Sequence, residues 1–246
     1  MKKLILASSL GLWDYDDLGN RIPRKFYNTN EIIDNLKKYI RKFDNFLFVA
    51  SVENDIEITD MYARNTFKAF ELTLPFKNYS ILDVRTEKNA FDLVKNADFI
   101  YLCGGHVPTQ NKFFSKINLK MLIKETDALI VGVSAGSMNC AEKVYCPPEL
   151  DGEALDKDFT KYFDGLGLTD INILPHYSDE KDSIIDGKRF IADIILPDSY
   201  ETTIYAINDG DYILVDDNKS VLYGTGYKIK DGKIIELKGD NSKVVL

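Results

Sequence analysis

A serine between two glycines, in residues 132–136 (Gly-Val-Ser-Ala-Gly), is the feature of the chain best suited to chemistry. The apolar residues 128–133 predict a buried parallel strand, and residues 137–144 predict a helix. The two glycines allow the backbone to turn sharply where a Cβ atom would collide. The stretch therefore predicts a nucleophile elbow, which lifts the hydroxyl of Ser134 out of the sheet.

Such an elbow suits attack on a carbonyl group. The amide N–H of Ala135, at the start of the predicted helix, is placed to stabilise the negative oxygen that forms during the attack. The competing interpretation is structural, because a glycine-rich turn between a strand and a helix also serves tight packing alone.

The base that this serine needs has two candidates, since the chain contains two histidines and histidine suits neutral pH. His176 follows a short apolar stretch and a proline, which predicts a loop at the carboxyl end of a strand, on the same edge as Ser134. His106 follows a glycine pair on that edge as well. By the logic of a catalytic triad we predict His176 as the base; the alternative is that either histidine is structural.

An acidic residue should orient the imidazole, and Asp209, at the end of the next predicted strand, is the first choice. Its competing interpretation is a turn residue before glycine. Glu149 and Asp179 are alternatives. The chain order Ser134, His176, Asp209 differs from the order Ser, Asp, His of α/β-hydrolases. An esterase on that plan would need a histidine last in the chain, so this hypothesis is disfavoured.

Apolar segments alternate with amphipathic ones through the first half of the chain, which predicts a mostly parallel sheet covered by helices on both sides. The predicted strands are residues 3–7, 45–51, 80–84, 98–102 and 128–133. The predicted helices are residues 28–43, 60–70, 90–95 and 118–126, the first with Asn28 and Glu31 as a capping pair. Sheets of this kind bind ligands at the carboxyl ends of their strands.

The second half of the chain predicts an irregular acidic segment and then a β-rich tail. The segment covers residues 146–167, followed by a strand at 172–174 and a helix at 184–196. Strands are predicted at 202–207, 212–215 and 220–223, and a hairpin joins 227–230 to 233–237 through Asp231-Gly232. The fold class is therefore α/β, a three-layer α/β/α arrangement with a β-rich C-terminal tail.

Composition limits the class of protein and its partners. The 246 residues suit one domain, residues 1–246, and the net charge of −8 without basic runs argues against nucleic-acid binding. No stretch approaches the roughly 18–20 apolar residues that span a membrane. Three unpatterned cysteines predict a reduced, cytoplasmic protein. No His, Cys or carboxylate group has metal-ligand spacing, so we expect neither metal nor cofactor.

Five short motifs follow one another in a characteristic order. They are residues 102–106 (LCGGH), 132–137 (GVSAGS), 163–168 (FDGLGL), 175–176 (PH) and 207–210 (INDG). In this order they resemble aspartyl dipeptidases (dipeptidase E) and the related cyanophycinases. The resemblance implies a serine peptidase whose fold is similar to that of class I glutamine amidotransferases.

The resemblance also implies roles for individual residues. Ser134 would be the nucleophile and His176 the base, and Asp209 stands where dipeptidase E has a glutamate. Glu149 lies where that family has another acidic residue, so it remains an alternative for the orienting group.

The glycine-rich loop and its surroundings depart from the family pattern. The resemblance implies an oxyanion hole built from the N–H of Gly104 or Gly105 together with that of Ala135. Cys103 stands where the family usually has a third glycine, and His106 replaces the usual Asn or Asp, which makes it a candidate for lining the pocket. 

The arginines that follow the histidine in aspartyl dipeptidases are not plainly matched here. The nearest basic pair is Lys188 and Arg189, which are candidates for substrate binding. An aspartyl side chain needs a fixed cationic partner, so selectivity for amino-terminal aspartate is the least supported implication of the resemblance.

The predicted function is a serine hydrolase that cleaves a peptide bond in a small peptide through an acyl-enzyme. The alternative is a non-catalytic, amidotransferase-like protein that binds or senses a small molecule. Cys103 also ends a predicted strand, although a buried structural cysteine is the favoured interpretation there. A glutamine amidotransferase would need cysteine at position 134. The expected partner is a small peptide, and the expected state is a monomer or homodimer.

Overall fold

An eight-stranded, mostly parallel sheet forms the centre of the computed structural model, which describes residues 3–216 and 219–246. The strands are β1 (Leu4–Ala7), β2 (Trp13–Tyr15), β3 (Arg21–Pro23), β4 (Asn45–Val49), β5 (Asn78–Leu82), β6 (Phe99–Leu102), β7 (Leu129–Val133), β8 (Lys143–Tyr145), β9 (Tyr162–Asp164), β10 (Asn172–Leu174), β11 (Ile184–Ile185), β12 (Lys188–Arg189), β13 (Ile204–Ile207), β14 (Tyr212–Asp216), β15 (Lys219–Tyr223), β16 (Gly226–Lys230), β17 (Lys233–Leu237) and β18 (Lys243–Val245). The α-helices are α1 (Ile32–Tyr39), α2 (Ile56–Thr73), α3 (Ala90–Asn96), α4 (Val107–Lys116), α5 (Leu119–Leu122), α6 (Ala135–Met138), α7 (Tyr177–Glu180) and α8 (Leu196–Asp198).

The central sheet has the strand order β18-β15-β14-β1-β7-β6-β4-β5. Five neighbouring strands of this sheet are parallel, namely β1, β7, β6, β4 and β5. At the other side, β14, β15 and β18 pair antiparallel. The mostly parallel sheet and the β-rich C-terminal region predicted from the sequence are both confirmed.

Alternate side chains of the central strands enter two apolar cores, one on each face of the sheet. On β1, Leu4 and Leu6 belong to one core, and Ile5 and Ala7 belong to the other. Residues of α3, α4 and α5 complete the first core, and residues of α1 and α2 complete the second. Strands buried on both faces need apolar residues at every position, which explains their continuous apolar runs. The predicted three-layer α/β/α arrangement is confirmed.

A second, four-stranded sheet has the order β10-β13-β16-β17, with β10 and β13 parallel. Because parallel strands present their carboxyl ends at one edge, the segments that follow β10 and β13 lie side by side. The predicted strand at 172–174 has the bounds of β10. The hairpin of β16 and β17 is also confirmed, and its turn residues Asp231 and Gly232 have φ angles of 50° and 70°.

Two predicted helices are wrong over much of their length. Instead of a helix at 137–144, α6 ends at Met138 and β8 begins at Lys143. The backbone of Asn139 instead accepts a hydrogen bond from the amide of Leu166 at 2.9 Å, which draws the chain away from the helix. Residues 184–196 form a short β11–β12 hairpin followed by a π-helix at Phe190–Ile195. The Asp186-Gly187 pair, with φ angles of 51° and 79°, forms the turn of this hairpin. The helix was predicted because the apolar residues around this turn recur with helical spacing.

Other differences concern lengths and elements that were not predicted. The helix expected at 28–43 shortens to α1, preceded by a 3₁₀ turn. Asn28 accepts from the amide of Ile33 at 2.8 Å, whereas Glu31 instead pairs with Lys243. The helix expected at 118–126 divides into α5 and a 3₁₀ turn, and β9 lies inside the segment expected to be irregular. The β2–β3 hairpin and α4 were not predicted. The hairpin borders the site described next, and α4 contacts the loop after β6.

Candidate active site

Ser134 lies at a sharp turn between β7 and α6, with φ of 51° and ψ of −119°. This backbone conformation is rare for a residue other than glycine, and it is typical of a strained nucleophile elbow. A Cβ atom on Gly136 would collide with the carbonyl of Leu102, and one on Gly132 would lie 2.6 Å from the backbone of Ser137. The two glycines are therefore required by close backbone contacts on both sides of the elbow.

The hydroxyl of Ser134 contacts the imidazole of His176, with 3.0 Å between Oγ and Nε2. His176 follows β10 and Pro175, and its φ of 57° lies in the left-handed region. The strand places the residue at the edge of the sheet, and this backbone conformation starts the α7 turn. The structure thus brings together the two residues that the sequence singled out as nucleophile and base.

The other imidazole nitrogen of His176 contacts Asp209, with 2.7 Å between Nδ1 and Oδ1. Asp209 follows β13, the parallel neighbour of β10, so the pairing of these strands sets the two side chains together. Neither Glu149 nor Asp179, the alternatives for the orienting acid, makes a hydrogen bond to this ring among the described residues.

Ser8 adds a further hydroxyl to this arrangement and was not predicted as a site residue. It is fully buried after β1, and its Oγ donates to Oδ1 of Asp209 at 2.6 Å. The same Oγ accepts from the backbone N–H of His176 at 2.8 Å. The only signal in the sequence is its position at the carboxyl end of a central strand, a position shared by many residues without a role in a site.

The charges of this cluster shift the pKa values of its members in opposite directions. Burial alone would lower the pKa of His176, but the hydrogen bond and negative charge of Asp209, aided by Glu180 and Asp179, raise it above its ordinary value. For Asp209, burial opposes ionisation, yet the hydrogen bonds from His176 and Ser8 hold the pKa of the carboxyl below its usual range. Asp209 is therefore ionised at neutral pH.

The loop after β6 runs beside Ser134. A Cβ atom on Gly104 would lie 3.3 Å from the Cβ of Ser134, so the glycine permits this close approach. The fully buried side chain of Gln110, on α4, donates to the carbonyl of Cys103 at 2.7 Å and anchors the start of the loop. Burial raises the pKa of the Cys103 thiol to about 12, which keeps it protonated and argues against a nucleophilic role.

Two cavities of about 250 and 260 Å³ meet at Ser134 and His176, and Gly105 borders both. The first cavity lies toward the β2–β3 hairpin and includes Arg21 in its wall. The second lies toward the segment after β8 and includes Glu149. Ser134 therefore lies between two small cavities, one with Arg21 in its wall and the other with Glu149.

Glu149 and His106 lie near this centre in different ways. Glu149 is accessible through the second cavity, but the desolvation of its carboxyl and the charges of Glu153 and Glu180 raise its pKa to about 7. His106 caps α4 and contacts Thr109 through Nδ1 at 2.8 Å and Glu153 through Nε2 at 3.2 Å. Its ring is thus engaged with protein groups, and it lines neither of the two cavities.

Lys188 and Arg189, the basic pair expected near the substrate, are bound to other protein groups. The amine of Lys188 donates to the carbonyl of Ala154 at 2.6 Å. Arg189 is exposed and paired with Asp193 at 2.7 Å. Neither side chain lines the cavities at Ser134. The β11–β12 hairpin, which replaces the expected helix, is what directs them elsewhere.

The part of the chain that the structure describes contains neither a metal-binding cluster nor a long apolar helix. No group of three or more His, Cys, Asp or Glu side chains in residues 3–216 and 219–246 is arranged to hold a metal ion. In the same part of the chain, none of the helices combines the length and apolar character needed to cross a membrane. All three cysteines are buried and free.

A serine elbow beside a histidine, on a mostly parallel sheet, is an arrangement found in serine hydrolases. The model of peptidase family S51 matches residues 23–223, which is most of the chain. The chain belongs to this family and is a serine-type peptidase. Comparison with curated protein sequences gives no match.

Solved structures share the fold. A peptidase from an acI-B1 actinobacterium superposes with a TM-score of 0.70 at 15% identity, covering 100% of this chain and 97% of the other. A putative peptidase E protein from Listeria monocytogenes EGD-e has a TM-score of 0.61 at 21% identity, covering 90% of this chain and 98% of the other. At these identities the likeness concerns the fold.

Proposed function

We propose that this peptidase hydrolyses the peptide bond of dipeptides and similarly small peptides, with Ser134, His176 and Asp209 as its catalytic triad. The observation that carries the proposal is the continuous contact from Oγ of Ser134 to Nε2 of His176 at 3.0 Å and from Nδ1 to Asp209 at 2.7 Å. Nucleophile, base and orienting acid within hydrogen-bond reach are the geometry that acyl transfer requires.

In the proposed reaction Oγ of Ser134 attacks the peptide carbonyl carbon while Nε2 of His176 takes the hydroxyl proton. The negative oxygen of the tetrahedral intermediate is stabilised by the N–H of Ala135 with that of Gly104 or Gly105. His176 then gives its proton to the leaving amine, and an ester remains on Ser134. A water molecule, deprotonated by the same imidazole, hydrolyses this ester. Ionised Asp209 holds the ring and stabilises its charged form.

The size of the site supports a small substrate. The cavities of about 250 and 260 Å³ on the two sides of Ser134 lie below the roughly 300–1,000 Å³ of common ligand pockets. One residue on either side of the scissile bond suits such a pair of pockets. The free, buried cysteines support our expectation of a reducing, cytoplasmic environment.

The test combines active-site labelling with a panel of dipeptides. A fluorophosphonate should label Ser134, as mapped by mass spectrometry of the peptide that contains it, and the purified chain should hydrolyse some dipeptides in the panel. The panel compares amino-terminal aspartate with neutral residues, because the arginines expected after His176 are unmatched. Saturable dipeptide binding without labelling or turnover would instead support the non-catalytic binding protein.

A further inference from the structure

Arg21 carries a positive charge that the protein itself does not neutralise. It lies on β3, in the wall of the cavity beside Ser134, and forms no ion pair with a carboxylate among residues 3–216 and 219–246. Its Nε is buried without a hydrogen-bond partner in that part of the chain. A buried donor that lacks an acceptor is costly, so this position favours a ligand that supplies one.

Two aromatic rings hold the guanidinium of Arg21 in place. Its central carbon lies 4.2 Å from the ring centroid of Tyr62 and 4.9 Å from that of Trp13. One terminal nitrogen donates to the hydroxyl of Tyr62 at 3.0 Å. Stacking of this kind fixes the plane of the group, and a fixed guanidinium binds a carboxylate well because two parallel hydrogen bonds form.

The neighbouring arginine shows that the surroundings do not exclude ion pairs. Arg24 lines the adjacent cavity, and its Nε also makes no hydrogen bond with any residue that the structure describes, but this atom lies 3.1 Å from a carboxylate oxygen of Asp14, which neutralises the charge. Arg21 is therefore distinguished from Arg24 by its unneutralised charge. It also lies just before the residues that the family model matches, which begin at position 23.

The second cavity, on the other side of Ser134, is lined by negatively charged side chains. Glu149 and Glu180 both line the second cavity, and neither is paired with Lys or Arg in the described part of the chain. Their mutual repulsion contributes to the raised pKa of Glu149. A cation that enters this cavity would relieve the repulsion, whereas a carboxylate would add to it.

We propose that these two poles set the orientation of the substrate: Arg21 binds the terminal carboxylate of the leaving residue, and Glu149 with Glu180 binds the free α-ammonium of the acyl residue. The inference rests on the proposed peptidase function. The α-ammonium and the side chain of the acyl residue are both attached to its α-carbon. Binding of the ammonium by Glu149 and Glu180 therefore places the acyl residue on that side of Ser134. The leaving residue and its carboxylate then extend toward the β2–β3 hairpin.

The experiment separates recognition from catalysis. Alanyl-alanine, its carboxyl-terminal amide and aspartyl-alanine amide are titrated by calorimetry into the Ser134→Ala variant and into the Ser134→Ala/Arg21→Gln double variant. The same three compounds serve as substrates for the wild-type chain, Arg21→Gln and the matched control Arg64→Gln. Arg64 is an exposed arginine of α2 outside both cavities, so its substitution removes the same charge without touching the site.

Arg21→Gln should weaken binding of alanyl-alanine and raise its KM about 10- to 100-fold, the range expected for losing a hydrogen-bonded ionic contact. It should leave the amide and the rate of fluorophosphonate labelling unchanged. Arg64→Gln should behave as the wild-type chain. An equal loss for the acid and its amide would overturn the proposal. So would a loss confined to aspartyl-alanine amide, which would assign Arg21 to an acidic side chain of the acyl residue.

Binding of the ammonium by Glu149 and Glu180 is tested separately. N-acetylation of alanyl-alanine removes the ammonium, so it should weaken binding to Ser134→Ala but not to a Ser134→Ala/Glu149→Gln/Glu180→Gln variant. Equal weakening in both would overturn the proposed orientation. Failure of the proposed function is seen separately, as binding without labelling or turnover. Absence of binding by all the compounds would overturn the inference itself.

Discussion

Ser8 donates its hydroxyl hydrogen to Oδ1 of Asp209 over 2.6 Å, although 201 positions separate the two residues. The same oxygen accepts from the backbone N–H of His176, so one buried hydroxyl links the first central strand to both strands of the second sheet that carry the site. We infer that Ser8 is a positioning residue, which keeps Asp209 directed at the imidazole.

Replacement of Ser8 by alanine should therefore lower kcat about tenfold or more, since a hydrogen bond to a charged group contributes about 1.5–3 kcal/mol. KM should change little, because Ser8 acts through Asp209 rather than on the substrate. The rate of fluorophosphonate labelling should fall in parallel with kcat. If the variant melts at a lower temperature but keeps full kcat and labelling rate, Ser8 is structural only.

The raised pKa of His176 predicts how activity depends on pH. Only the neutral imidazole accepts the proton of Ser134, so kcat/KM should fall as the pH drops through a value above the ordinary histidine pKa of about 6.5. Asp209→Asn removes the negative charge that raises the pKa of His176, and burial then lowers this pKa. The acidic limb of the pH profile should therefore move to lower pH. Its plateau should fall about 10³- to 10⁴-fold.

Glu149, with a pKa of about 7, is the other group in this pH range. The profile of Glu149→Gln is therefore the control, and it should retain the acidic limb that His176 produces. An Asp209→Asn profile with an unmoved limb, or loss of the limb in Glu149→Gln, would assign the titration to a group other than His176.

The elbow predicts a stability effect at Gly136. An alanine there would drive its Cβ into the backbone of Leu102, and neither element can move without disturbing the sheet. We expect Gly136→Ala to lower the free energy of unfolding by about 3 kcal/mol, measured by chemical denaturation. Gly19→Ala is the comparison for backbone strain alone, because Gly19 has a φ of 80° but no atom lies within 4 Å of its Cβ position. Gly136→Ala should lose more stability than Gly19→Ala, and an equal loss in the two variants would mean that the collision at the elbow adds no cost.

Much of the fold follows from the sequence because strands buried on both faces need uninterrupted apolar residues. The strands and the serine elbow carry such local signals, and β10 has the predicted bounds. The order of the chain also placed Ser134, His176 and Asp209 at the carboxyl ends of strands, where the structure brings them together. The position of a residue can be predicted from the sequence when it depends only on the strand that precedes it and on where that strand ends.

Elements and residues whose structure depends on contacts between distant parts of the chain were not predicted. Apolar periodicity suggested a helix at 184–196, yet the Asp186-Gly187 turn and burial against the second sheet produce a hairpin and a π-helix. Ser8 and Arg21 have no local motif, since their roles depend on groups far along the chain. Lys188 and Arg189 were expected near the substrate from their position after His176, but the hairpin directs them elsewhere.

The most direct test of the account is the turnover of a dipeptide by Ser134→Ala beside the exposed-serine control Ser115→Ala. If Ser134, His176 and Asp209 act as a unit, Ser134→Ala should lower kcat by about 10⁶-fold with little change in substrate binding, and Ser115→Ala should match the wild-type chain. A Ser134→Ala variant that hydrolyses the dipeptide at the wild-type rate would contradict the account.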